Sequence, residues 1–126
     1  MRIDLVKDVG NRKVVSLFRA AMYTEERDAA KLQETVVQVI SSTVCMRPDW
    51  YGNLFQHQSM LCAGYQSGGK DGCVGDGGGP LQCFDEKIRR WSLVGVSSGG
   101  DSCAKPKKPG IYTNLDVAKR WIINTI

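Results

Sequence analysis

The chain of 126 residues holds one histidine, His57. Any mechanism that needs two histidines is excluded, and a mechanism that needs one must use this one. No cysteine occurs before Cys45, and the first 30 residues hold a single glycine, Gly10, and no proline. No apolar run approaches the roughly 18 residues of a membrane span, so none is expected. Met1-Arg2-Ile3-Asp4-Leu5-Val6-Lys7-Asp8 is interrupted by charge and lacks the apolar stretch of a secretory signal. The net charge of +4 is mild. It does not indicate a nucleic-acid partner, and the short basic run Lys105-Pro106-Lys107-Lys108 reads as a solvated loop.

What is present fits one globular domain, with 42% hydrophobic and 24% charged residues. Val14-Val15-Ser16-Leu17-Phe18 reads as a short buried strand, and Thr35 to Ile40 is β-branched and mostly apolar. Trp91 to Val96 predicts a strand running into a loop at Ser97-Ser98-Gly99-Gly100. Gly110 to Thr113 predicts another. Short strands among many glycines and cysteines point to an all-β sandwich or barrel. Residues 116 to 126 predict a terminal helix capped by Asn114 or Asp116. Val117, Trp121 and Ile122 share a face expected to dock on the β body. The texture changes near Lys31, which divides the chain into a segment 1–30 and a body 31–126.

The stretch Lys70-Asp71-Gly72-Cys73-Val74-Gly75-Asp76-Gly77-Gly78-Gly79-Pro80-Leu81 is the most informative. It is not a P-loop, since no Lys-Ser or Lys-Thr follows it. It is not a dinucleotide fingerprint, since Pro80 stands where the third glycine belongs. It is not a calcium loop, since Cys73 replaces an Asp or Asn ligand. It resembles the active-site loop of trypsin- and chymotrypsin-like serine proteases, whose motif is Gly-Asp-Ser-Gly-Gly-Pro. Further blocks resemble the family in the same order: Leu32-Gln33-Glu34 and the approach to Cys45, Met60-Leu61-Cys62-Ala63-Gly64-Tyr65, Leu93-Val94-Gly95-Val96-Ser97, Lys108-Pro109-Gly110-Ile111-Tyr112-Thr113, and Trp121-Ile122. The resemblance covers residues 31 to 126. It implies the second, C-terminal β-barrel of such a protease, ending in an α-helix, with residues 1–30 poorly matched.

The departures bear on function. Gly77 occupies the place of the nucleophilic serine, and glycine has no side-chain oxygen with which to form an acyl-enzyme. The family's general base and its orienting aspartate belong to an upstream barrel for which the chain has little room. His57 falls in a segment that resembles a surface loop. The resemblance therefore implies no catalytic residue here, and either an inactive homologue or a truncated fragment. The alternative is an active trypsin-like endopeptidase completed by another chain or by upstream sequence. What persists is binding architecture. Asp71 matches the acidic floor of a specificity pocket for Arg or Lys, and Gly99 and Gly110 match the small residues that leave room for such a side chain. Gly75 and Gly77 match the backbone donors of an oxyanion hole. Asp76 matches an aspartate that pairs with a freed N-terminal amine, and no Arg-Ile-Val-Gly-Gly-like start is present. A loosened loop over 72–80 is expected in consequence.

There are five cysteines. The resemblance pairs Cys45 with Cys62 and Cys73 with Cys103. Cys83 is left over, because its family partner, placed near Phe18, is not a cysteine. No Cys-x-x-Cys pair supports zinc, and no metal or cofactor is expected. Two bridges imply an oxidising, secreted setting, in conflict with the charged N-terminus. A lone barrel would expose an apolar face. The expected partners are therefore a peptide or protein presenting Arg or Lys, and a second copy of the chain.

Overall fold

The computed structural model describes residues 2–3, 13–20, 28–69, 77–99 and 105–125. The elements in order are β1 (Arg2–Ile3), β2 (Lys13–Ala20), β3 (Asp28–Ile40), α1 (Ser42–Cys45), a 3-10 turn (Gly52–Leu54), β4 (Met60–Gly64), β5 (Pro80–Asp85), β6 (Arg90–Gly99), β7 (Gly110–Asn114) and α2 (Leu115–Thr125). Strands β2 to β7 close an antiparallel barrel: β2 pairs with β3 and β5, β4 with β3 and β7, and β6 with β5 and β7. The two-residue β1 lies parallel to β6, with Arg2 opposite Ser92 and Ile3 opposite Leu93.

Period-2 alternation explains the wall. On β3, Glu34, Val36 and Gln38 face out and Val37 is buried. The barrel interior gathers Val14, Val37, Ala63, Leu81, Cys83, Val94 and Tyr112, at least one from each of its six strands. Gly95 allows β5 and β7 to approach there. A Cβ at this position would lie 3.1 Å from Tyr112 Cβ and 3.4 Å from Leu81 Cβ. A second cluster packs outside the interior: Cys45, Trp50, Tyr51, Phe55, Cys62 and Ile111.

Three expectations change. Strand β2 lies inside the segment 1–30 yet is built into the wall between β3 and β5, with Val14 and Val15 buried. The shift in texture near Lys31 marks where glycine-rich loops begin. The residue across from Cys83 is Val14, four positions before Phe18. The terminal helix forms, capped by Asn114, whose Oδ1 accepts the Asp116 N–H at 3.0 Å. However, Val117 is 56% and Trp121 70% exposed, and among its residues Leu115 alone is buried. Of the expected docking face Ile122 is half-buried, while Val117 and Trp121 point to solvent.

Candidate active site

The glycine turn ends at Pro80, where β5 begins. Gly78 has φ of +86°, a backbone state that suits glycine. Its N–H donates to Ser97 O at 2.8 Å, and the Ser97 N–H donates to Gly79 O at 2.8 Å. These two bonds seat the turn against β6 at 78–79; residues 72–76 of the loop expected to be loosened lie outside the described residues. Pairing with β7 carries β6 past the predicted boundary at Ser97 to Gly99. Gly99 pairs with Ile111 across a register shift, and the Ser98 hydroxyl donates to Ile111 O at 3.2 Å.

Gly77 is exposed, and a Cβ built on it meets nothing within 4 Å. The site offers room for a side chain but supplies no oxygen. Gly99 and Gly110 are brought together: Gly99 is opposite Ile111, the residue after Gly110, and Gly110 is buried at the start of β7 opposite Ala63. A Cβ on Gly99 would also meet nothing within 4 Å. Turn, β6 end and β7 start therefore converge on one rim of the barrel. Asp71, Gly75, Asp76, Cys73 and Cys103 lie outside the described residues.

His57 is exposed in the loop before β4. The β4–β7 register sets Ala63 opposite Gly110 and Met60 opposite Thr113, and Asn114 N–H donates to Ser59 O at 2.9 Å. His57 thus belongs to the other end of this ladder. Three residues of strand, about 10 Å, separate that end from Gly110. It is not placed to take a proton at Gly77.

The pocket-side loop 105–110 is braced in a way the sequence did not suggest. Lys107 has φ of +59°. Its N–H donates to Gln66 O at 2.9 Å, and its ammonium pairs with Asp49 at 2.9 Å. The Lys107 hydrogen bond holds the Asp49 carboxyl below its ordinary range. The Lys108 ammonium donates to Trp50 O and lies 5.1 Å from the centre of the Tyr51 ring, while the Tyr51 hydroxyl donates to Pro109 O. Lys107 and Lys108 are therefore engaged with other loops, which corrects the solvated reading for these two, while Lys105 and Pro106 are exposed as expected. The only hint was the aromatic pair Trp50-Tyr51 between two cysteines. The braced segment 49–51 is itself held by the expected Cys45–Cys62 disulfide, whose two cysteines are fully buried.

A closed six-stranded antiparallel barrel with a terminal helix, and a glycine turn seated on the end of one strand, defines a barrel domain of the serine protease type. The particular family follows from comparison with known proteins. The chain belongs to the trypsin family, whose model matches residues 9–122. It is 42% identical over 102 residues to the human protein named Transmembrane protease serine 11A, covering 81% of this chain and 24% of that one. It is 42% identical over 103 residues to human Serine protease 56, covering 81% of this chain and 17% of that one. The chain thus spans a quarter or less of the length of these relatives. Among the described residues, no helix is long and apolar enough to cross a membrane.

Proposed function

We propose that this chain is a non-hydrolytic member of the trypsin family that engages peptides through an Arg or Lys side chain. One observation carries the first half: the residue at the nucleophile position is Gly77, on a turn held to β6, with no hydroxyl to attack a carbonyl. The position of His57 at the far end of the β4–β7 ladder supports it. The second half rests on the resemblance of Asp71 to a pocket floor. It is supported by the adjacency of Gly99 and Gly110 and by the open space where a Cβ on Gly99 would lie. A carboxylate in a partly dry slot favours a paired cation. Gly75 and Gly77 would offer backbone N–H groups to a bound carbonyl, and donors without a nucleophile turn nothing over.

The alternative of an active endopeptidase completed by further chain draws on the greater length of the relatives. It would need an attacking oxygen from another residue, and the neighbouring Ser98 hydroxyl is already donated to Ile111 O. A secreted setting is part of the proposal and is supported by the Cys45–Cys62 bridge.

The test uses a fluorophosphonate probe, an Arg ester and p-aminobenzamidine. No serine should label and ester turnover should stay at background. The amidine should bind, and Asp71→Asn should weaken it about tenfold or more, the loss of one charge-assisted pair. Stable labelling of one serine would overturn the inactive reading. Equal amidine binding by the Asp71→Asn variant would overturn the pocket.

A further inference from the structure

We infer that the β5–β6 hairpin is a binding site for a sulfated polysaccharide. The reasoning begins with two backbone positions. Among the described residues, the non-glycine residues with positive φ are Lys107 and Arg89. An L side chain in this region is disfavoured, so each needs a reason. Lys107 has one inside the fold, its ion pair with Asp49 and its N–H bond to Gln66. Arg89 has none: it is exposed, and no ion pair or side-chain hydrogen bond joins it to another described residue.

Arg89 closes the four-residue loop Glu86–Arg89 between Asp85 and Arg90, which pair across the hairpin. The last position of such a loop suits glycine or asparagine. An arginine is tolerable there if its side chain acts on something outside the chain.

The surroundings say what that is. Lys87 and Arg90 are exposed beside Arg89, and neither makes an ion pair with a described residue. Asp85 is occupied, its Oδ1 accepting the Lys87 N–H at 3.0 Å, which leaves Glu86 as the exposed acid of the turn. Lys87, Arg89 and Arg90 thus outnumber Glu86 on the exposed surface of this turn. Beside them Trp91 is 39% exposed and packs on Phe84, ring centres 5.1 Å apart.

Three exposed cations that make no ion pair with a described residue, next to an exposed aromatic face, suit a linear polyanion made of rings: sulfates meet the cations, and a sugar face lies on the indole. The buried disulfide implies an oxidising compartment, where sulfated polysaccharide is the polyanion at hand. This proposal does not depend on the reading of the glycine turn, which sits at the opposite end of β6.

The test measures binding of a heparin octasaccharide to the oxidised chain across a salt series. The wild type should bind, with affinity falling steeply as salt rises. Arg89→Gly relieves the positive φ, so its thermal midpoint should hold or rise while affinity drops about fivefold and the salt slope falls by about one. The Lys87→Gln, Arg90→Gln double variant should lose binding further, and it carries the test if Arg89→Gly fails to fold. Unchanged affinity in the folded Arg89→Gly and double variants would overturn the proposal. So would equal binding of desulfated heparin, or tighter binding of an acidic peptide or of phosphatidylserine vesicles.

Discussion

The two buried clusters of this protein are held by different means. The barrel interior draws on all six barrel strands. Continuous backbone ladders fix its residues, and close approach at Gly95 completes the packing. The outer cluster around Trp50, Tyr51 and Phe55 comes mostly from an irregular excursion between β3 and β4, with one bridging disulfide and the Lys108 contacts in place of ladders. Ladders specify position through many small equal contributions. The irregular lobe closes its own backbone bonds in local turns, and a small number of strong ties hold it to the rest, each of which can be cut separately.

Cutting the strongest tie gives the largest expected effect. Replacing Cys45 and Cys62 together by alanine removes a bridge over a 17-residue separation and should cost about 3 kcal/mol. The loss should be uneven. Urea unfolding should shift to lower midpoint, and amide exchange should accelerate at Trp50 and Tyr51 before it does on β2 and β5. Uniform acceleration throughout would mean that the two clusters form one cooperative unit. The complementary variant strikes the interior. Gly95→Val places a branched side chain against Tyr112 and Leu81, already 3.1 and 3.4 Å from a single Cβ, and should cost about 2 kcal/mol by overpacking. Its exchange should accelerate across the barrel, with the disulfide lobe following only as β4 and β7 loosen.

The same contrast explains what could be read from the amino-acid sequence. Strands announce themselves by alternation and β-branching, so Val14–Phe18, Thr35–Ile40, Trp91–Val96 and Gly110–Thr113 were legible as strands of an all-β sandwich or barrel, and the family resemblance pointed to the barrel. The Cys45–Cys62 pair and the glycine at the nucleophile position were legible through the resemblance of their blocks. Properties set by long-range register were not. Cys83 faces Val14 because of how β2 slides on β5, which no local pattern encodes. The exposure of Trp121 follows from how the barrel end receives α2, while its helical spacing would suit a buried face equally well. Lys107 and Lys108 read as loop cations because their partners, 58 residues earlier, are a carboxylate and a carbonyl in another loop. Proximity of this kind is a property of the closed barrel.

The smallest effect sharpens the comparison most, because it probes a tie at the surface of the lobe. The Lys107–Asp49 pair is exposed, so its attraction is screened and it should not move the unfolding midpoint measurably. It should nevertheless report on the brace. Lys107 holds the folded Asp49 carboxyl below its ordinary range, so the pair is complete above the ordinary carboxylate pKa and is lost as pH falls through the lower folded value. Carboxyl-carbon NMR should show Asp49 titrating below the ordinary aspartate range at low salt. The Lys107 amide shift should follow the same curve, and the two should move toward ordinary behaviour in 1 M salt. Asp49→Asn should flatten the Lys107 response while leaving the β2–β5 amides unchanged. If instead those barrel amides titrate with Asp49, the lobe is not the separable unit that its sparse ties describe.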